Sequence, residues 1–254
     1  MTLKSRVIPI LLLTKQGLVK GRGFDHSRRV GSPQSLIRVY RARDVDELIL
    51  LDVEASLSGS SPSFRDIQTL ARECNFPLAV GGGINNMTSI EKMFEIGADK
   101  VVINTACYRK PELIKDAAVE FGTQSLVVSI DYRVVEGIPV CFSQSGTFRE
   151  PFVLKDWAVR MADSGAGEIV LCNCDRDGMM TGYDLENLKL VVDSVSVPVV
   201  IAGGAGHLSH FAPAILEGGA AAVAAGSIFL FTEVTPKMVR VALAELGLPV
   251  RKLV

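Results

Sequence analysis

A shift of 121 positions superimposes one half of the chain on the other. The first copy reads Phe76-Pro-Leu-Ala-Val-Gly-Gly-Gly-Ile84, a helical stretch, then Gly97-Ala-Asp-Lys-Val-Val-Ile-Asn-Thr-Ala106. The second reads Pro198-Val-Val-Ile-Ala-Gly-Gly-Ala-Gly206, a helical stretch, then Gly218 through Ser227. Pro77 falls on Pro198, Gly82 and Gly83 on Gly203 and Gly204, Gly97 on Gly218, and Thr105 and Ala106 on Gly226 and Ser227, with no gap. The same shift carries Asp46-Glu47-Leu48-Ile49-Leu50 onto Gly167-Glu168-Ile169-Val170-Leu171. A repeat this long is not a solenoid unit of ~20–50 residues. It is half of one fold, with halves at about 1–120 and 121–254.

In both copies an apolar strand ends in glycines and the next strand ends in small polar residues. Such turns let a ligand approach backbone N–H groups, which is how loops and helix starts hold phosphate. The candidate phosphate-binding residues are Gly82, Gly83, Asn104 and Thr105 in the first half and Gly203, Gly204, Gly226 and Ser227 in the second. The 254 residues match one (β/α)8 barrel, which takes ~250. Hydrophobic residues make up 48% of the chain and mean hydropathy is +0.30, rich enough for parallel strands buried on both faces. Net charge is −1 with no basic block, which argues against nucleic acid or a membrane surface as partner. Five scattered cysteines fit reduced thiols in a cytoplasmic protein. Cys172-x-Cys174 lacks the further ligands of a metal site, so neither metal nor cofactor is expected.

Along the chain, Val7 to Leu13 reads as strand 1; it is too short to span a membrane. Thr14 to Pro33 reads as a long Gly-rich loop carrying Lys20, Arg22, Arg28 and Arg29, a lid for an anionic substrate. Gln34 to Arg43 is helical, and Glu47 to Val53 is strand 2 with Asp52 near its end. Ser63 to Glu73 is helical. Thr88-x-x-Glu91 has the pattern of a capping box. Pro111 starts a helix that runs to Phe121. Ser125 to Asp131 is strand 5, followed by an extended excursion over Val140 to Phe148. Leu154 to Ser164 is a helix with Trp157 in the core. Glu168 to Cys174 is strand 6, followed by Asp177 and by Asp184 as a helix cap. Strands 7 and 8 are Pro198 to Ala202 and Ala222 to Gly226. His207 and His210 are read as capping or solvent-facing, and Pro236 to Leu246 closes the chain.

Arg6-Val-Ile-Pro9, Leu18-Val-Lys-Gly21, Val80-Gly-Gly-Gly-Ile84, Ile103-Asn-Thr-Ala106, Asp175-Arg-Asp-Gly178 with Gly182-Tyr-Asp184, and Gly203-Gly-Ala-Gly206 together resemble the cyclase subunit family of imidazole glycerol phosphate synthase (HisF). The resemblance covers residues 5 to 250. It implies a (β/α)8 barrel with two phosphate sites. It also implies a HisH-type glutaminase docked at the bottom of the barrel, sending ammonia along its axis.

The family's chemistry uses two aspartates as general acid and base, a division of labour that follows when neighbouring carboxylates separate their pKa values. One of them falls on Asp131. The other falls on Leu12, which can neither give nor take a proton. Losing one such group typically costs ~100- to 10,000-fold. Glu54 and Asp177 are the candidates to replace it. Lys20, Asp52 and Asp177 are the expected substrate-site residues. The ammonia gate that the resemblance implies is complete: Arg6, Glu47, Lys100 and Glu168. Asp99 resembles the family's contact to the glutaminase.

An intact entrance with half of the acid–base pair missing points to a paralogue with weak or lost cyclase activity. It would pass ammonia to another acceptor, as in acetamidino-sugar synthesis for surface polysaccharide with a third amidotransferase protein. An authentic cyclase of histidine biosynthesis and a non-catalytic activator of the glutaminase are the alternatives.

Overall fold

The structure, a computed structural model, describes residues 4–25 and 28–252. Eight parallel strands close on themselves: β1 (Arg6–Thr14), β2 (Leu48–Asp52), β3 (Leu78–Gly81), β4 (Lys100–Ile103), β5 (Leu126–Val135), β6 (Glu168–Asn173), β7 (Val199–Ala202) and β8 (Ala222–Ala225). Each pairs with the next, and β8 returns to β1 with Arg6 opposite Ala222 and Pro9 opposite Ala225. Helices lie between the strands, which makes this a (β/α)8 barrel. The 121-position shift carries Leu48–Asp52 into β6 and Leu78–Gly81 onto Val199–Ala202, so the repeated sequence is repeated structure.

The strands carry apolar side chains on both faces because both faces are buried. Ile8, Ile49, Ala79, Val102, Val127, Val170, Val200, Ala222 and Ala224 pack together inside the barrel. The alternate residues Val7, Leu11, Leu50, Val101, Val128, Leu171 and Val223 pack outward, in one cluster with helix residues such as Ile37, Met93, Trp157 and Leu243. Inward positions therefore form registers: Arg6, Ile8, Ile10, Leu12 on β1, and Lys100, Val102, Asn104 along β4.

Several expectations need correction. The Thr14–Pro33 segment is not a simple loop. Gly17–Val19 pairs antiparallel with the end of β1, and Arg29–Gly31 pairs with Gly17–Val19. The pairing follows from Leu18, which is fully buried against the core. The Thr88-x-x-Glu91 box is displaced by two residues: Asn86 caps helix Met87–Glu95, its side chain accepting from Ser89 N (2.8 Å). The Ser89 hydroxyl in turn faces the Asn86 N–H. Asn fits an N-cap well and lies nearer the strand end, so it takes the role. Asp52 caps a six-residue helix, Val53–Ser58, that the sequence reading missed. β5 runs four residues past Asp131, and the excursion after it is a hairpin of Ile138–Ser143 with Phe148–Val153.

At the bottom, Asp46 accepts from Val7 N (2.9 Å) and pairs with Arg240 (2.9 Å) and Arg251 (2.8 Å). Asp99 does the same for β3, accepting from Leu78 N at 2.8 Å while remaining exposed.

Candidate active site

A cavity of about 410 Å³ opens over the C-terminal ends of the strands. Barrel enzymes place their chemistry at this end, because the loops there are free to vary without disturbing the barrel. Leu12, Lys20, Asp52, Gly82, Gly83, Asn104, Thr105, Asp131, Asp177, Gly203 and Gly226 all line it. Gly204 and Ser227 were expected beside them and do not line it. Gly204 is enclosed by Gly182, and Ser227 is 5% exposed with no partner for its hydroxyl.

Two glycines show why the turns need no side chain. A Cβ on Gly82 (φ +100°) would lie 2.0 Å from the Asp52 carbonyl oxygen, and one on Gly204 (φ +118°) 2.1 Å from that of Gly182. Both positions require the left-handed backbone that glycine adopts at low cost.

Asp131 sits at the inner wall, 8% exposed. Asn104 Nδ2 donates to its Oδ2 at 2.7 Å, and the Ser129 hydroxyl lies 3.5 Å from Oδ1. Burial, reinforced by the charge of Asp177, pushes the carboxyl up to about 7. The hydrogen bonds and the charge of Arg133 only partly offset that. A carboxyl poised there can hold or release a proton near neutrality.

Asp177 reaches the cavity from the loop after β6 and is clamped by Lys20 Nζ at 2.6 and 2.8 Å. Gly23 N donates to the Asp177 carbonyl (2.7 Å), so the segment after β1 is pinned across the mouth. Glu54, the other candidate for a second acid, accepts from Lys15 N (2.9 Å) and is absent from the cavity wall. Opposite Asp131 the wall is apolar: Leu12, Val19 and Val53 form a buried cluster with Ile10 and Leu51. Asp52 lines the cavity but spends an oxygen on Ala55 N (2.9 Å), and burial raises its pKa.

The hairpin after β5 crosses the mouth. Gln144 N donates to Thr105 Oγ1 (3.0 Å) and the Ser145 hydroxyl to the Val53 carbonyl (3.3 Å). Sequence reasoning missed Arg109, Lys110 and Ser129 in the wall. Ser129 was legible as the inward neighbour of Asp131 at i−2; the other two carried no periodic signal.

At the opposite mouth, the four charged residues form one closed ring. Arg6 bonds to both Glu47 and Glu168. Lys100 Nζ reaches Glu47 at 2.9 Å and Glu168 at 2.8 Å. Burial alone would raise the Glu168 carboxyl; hydrogen bonding to Arg6 and the charges of Arg6 and Lys100 outweigh it and hold it below the usual value.

Cys172 lines the cavity and Cys174 is buried beside Gly146, and burial pushes both thiols up. Among the described residues no three His, Cys, Asp or Glu side chains are grouped to hold a metal. His207 caps the turn Leu208–His210, and His210 Nδ1 accepts from Gly206 N (3.2 Å). Among the described residues no helix is long and apolar enough to cross a membrane.

Fold and cavity define a class: a (β/α)8 barrel of two repeated halves, with a carboxylate-bearing cavity at one mouth and a paired charged ring at the other. Within that class the chain belongs to the histidine biosynthesis protein family, whose model matches residues 6–235, and it is of the HisF type. It is 42% identical over 252 residues to the imidazole glycerol phosphate synthase subunit HisF of Streptomyces coelicolor, covering 99% of this chain and all of the relative. It is 41% identical over 249 residues to the same-named subunit of Hyphomonas neptunium, covering 98% of this chain and 99% of the relative. The same-named subunit of a Nocardioides species is 41% identical over 260 residues, with 99% of this chain and all of the relative covered.

Proposed function

We propose that this chain is the ammonia-accepting subunit of a glutamine-dependent synthase, and that its reaction is the cyclase reaction of imidazole glycerol phosphate synthase in histidine biosynthesis. Near-full-length identity to subunits of that name supports the second half of the reading. The single observation that carries the first half is axial. The inward register of β4 runs from Lys100 in the ring through Val102 to Asn104, which holds Asp131. That register spans about 13 Å at ~3.3 Å per residue. Ring and cavity are thus two ends of one barrel interior.

In this reading a HisH-type glutaminase docks at the ring, with Asp99 at its contact. Ammonia passes Arg6, Glu47, Lys100 and Glu168. The glycine turns at Gly82–Gly83 and at Gly203, with Asn104, Thr105 and Gly226, hold the phosphates of the substrate. Lys20 and Asp177 close over it. Asp131 exchanges protons with the substrate as the carbon–nitrogen bond forms, and Asp177 is the second carboxylate at hand.

One observation favours a second reading. Leu12 and its apolar neighbours occupy the wall where the family resemblance places the other aspartate. A barrel that kept its entrance and lost that acid would deliver ammonia to a different acceptor, such as an acetamido sugar on its way to an acetamidino sugar, with a third protein as amidotransferase. No relative named above carries that activity in its name.

Turnover of the phosphorylated ribulosyl substrate by the purified chain, with saturating ammonium at alkaline pH, decides between them. A rate of ~1 s⁻¹ or more is that of an ordinary enzyme and establishes the cyclase. Absence of turnover, with activity gained in Leu12→Asp, excludes the cyclase; ammonia-dependent product formed only with a third protein then separates the second reading from a non-catalytic activator of the glutaminase.

A further inference from the structure

Asn173 ends β6, is 4% exposed and does not itself line the cavity. It holds the turn that does. Its Oδ1 accepts from Asp175 N at 3.0 Å and from Arg176 N at 3.3 Å. Its carbonyl accepts from Arg176 N (3.2 Å) and Asp177 N (3.0 Å). The turn so held carries Asp177 into the cavity wall, against Lys20. Its other ties lie further out: Arg133 pairs with the exposed Asp175, and Arg176 Nη1 donates to the Gly182 carbonyl at 3.3 Å. Lys20 and Gly23 reach Asp177 from the segment after β1, so they fasten that segment to the turn.

The orientation of the Asn173 amide is set from its other end. Nδ2 donates to Asp184 Oδ2 at 2.8 Å. The same oxygen accepts from Tyr132 Oη (2.9 Å) and Asn187 Nδ2 (3.0 Å). Burial alone would raise the Asp184 carboxyl; the bonds from Asn187, Asn173 and Tyr132 outweigh it and hold it below the usual value. An ionised carboxylate only accepts, so it faces the amide nitrogen and leaves the amide oxygen to the turn. The 121-position shift puts Asp52 at the same place in the first half. There Oδ1 accepts from Ala55 N, three residues on, as Asn173 does from Arg176 N. Asp177 falls on Ser56, and both line the cavity. The cap is repeated; the carboxylate it carries into the cavity is not.

We propose that Asn173 is a positioning residue for Asp131 and Asp177: its amide, oriented by Asp184, anchors the turn that brings the Asp177 carboxylate into the cavity with Asp131. The proposal rests on the reading that these two carboxylates serve one reaction. After burial, the charge of Asp177 is what raises the Asp131 carboxyl, and Arg133 on β5 opposes it. Cys141, Cys172, Cys174 and Tyr108 also lie near Asp131, and burial keeps them neutral. A loosened turn takes the charge of Asp177 away, and Lys20 left without its partner acts in the same direction. The Asp131 midpoint then falls.

Carbon-13 NMR of the full chain labelled at its aspartate carboxyls, with Asp131 assigned from Asp131→Asn, reads that midpoint without substrate. It is expected at about 7 in the native chain. Asn173→Ala should lower it by about half a unit or more. Asn173→Ser keeps a weaker acceptor for the turn and should lower it by less. Should Asn173→Ala fail to fold, Asn173→Ser decides: a fall supports the role and an unmoved midpoint overturns it. Tyr132→Phe removes a bond to Asp184 but none to the turn, so it should lower the melting temperature and leave the midpoint in place. A midpoint unmoved in Asn173→Ala, or moved as far by Tyr132→Phe, overturns the positioning role. Absence of cyclase turnover in the native chain would overturn the functional reading instead, and leaves these midpoints readable.

Discussion

The two mouths of the barrel bury carboxylates in opposite ways. At the N-terminal mouth, Glu47 and Glu168 meet Arg6 and Lys100, and every charge has two partners. At the C-terminal mouth, Asp131 is buried to the same degree but is met by an amide and a hydroxyl. Glu168 is held below its ordinary pKa and Asp131 is pushed up to about 7. Burial acts alike on both, and the placement of full positive charge decides the sign. One mouth is an electrostatically closed joint. The other stores an unpaid desolvation cost in a group that can use it for proton transfer.

The sharpest way to break this comparison is Asp131→Asn. It is expected to lower ammonia-dependent turnover at least ~100-fold without destabilising the fold at pH 8. The sign follows from the raised pKa. Ionising Asp131 costs the folded state, so its penalty grows as pH rises from about 4 to about 7 and is complete above that, on the order of a few kcal/mol. Urea unfolding at pH 5 and pH 8 should show the variant gaining more on the native chain at pH 8, since only part of the penalty is present at pH 5. A variant that loses stability equally at both would mean that Asp131 is structural.

Glu168→Gln probes the other mouth. It leaves Arg6 and Lys100 sharing one carboxylate and should cost roughly 1–3 kcal/mol at pH 7, below the value for a fully buried pair because the cations are 26% and 20% exposed. The contribution of Glu168 is complete above its unfolded pKa and is lost as pH falls through its lowered folded one. The unfolding curves of variant and native chain should therefore converge in acid. Equal stability at pH 7 would remove the contrast.

The smallest expected effect is Asn104→Ala. Losing the 2.7 Å donor to Asp131 removes one of the bonds that lower its pKa. The midpoint of the pH–rate profile should move up by roughly half a unit to one unit, the worth of one hydrogen bond. A downward move would mean that Asn104 does not stabilise the ionised form.

The barrel was legible in the sequence because its evidence is local and doubled. Apolar runs ending in glycine at Gly82 and Gly203 place the strands and the turns together. The four ring residues stand at or just before strand starts, but only the family resemblance marked them as a ring. What escaped depends on long-range contact. Glu150 reads as one more hairpin residue until Arg109, 41 positions away, is seen against it. The pairing of Gly17–Val19 with β1 hides in a glycine-rich, basic stretch because only the short run Leu18-Val19 carries buried apolar side chains there. The Asn86 cap escaped because its partner three residues on is Ser89 and not the Glu or Gln of the capping-box pattern that Thr88 and Glu91 display. Leu12 was visible as an anomaly, but its apolar neighbours Val19 and Val53 come from two other segments and appear only in the fold.

The Asp46 latch has a consequence for how the chain is made. Arg240 and Arg251 lie 194 and 205 positions from the aspartate they hold, and β8 is the strand that covers the free edge of β1. During synthesis the first strand must wait, with its pairing groups open, until nearly the whole chain has left the ribosome. Contacts this distant in sequence slow folding and prolong exposure to other chains. The first half-barrel is thus the part of the nascent molecule that most needs shielding, and emergence of β8 and Arg251 sets the moment at which that need ends.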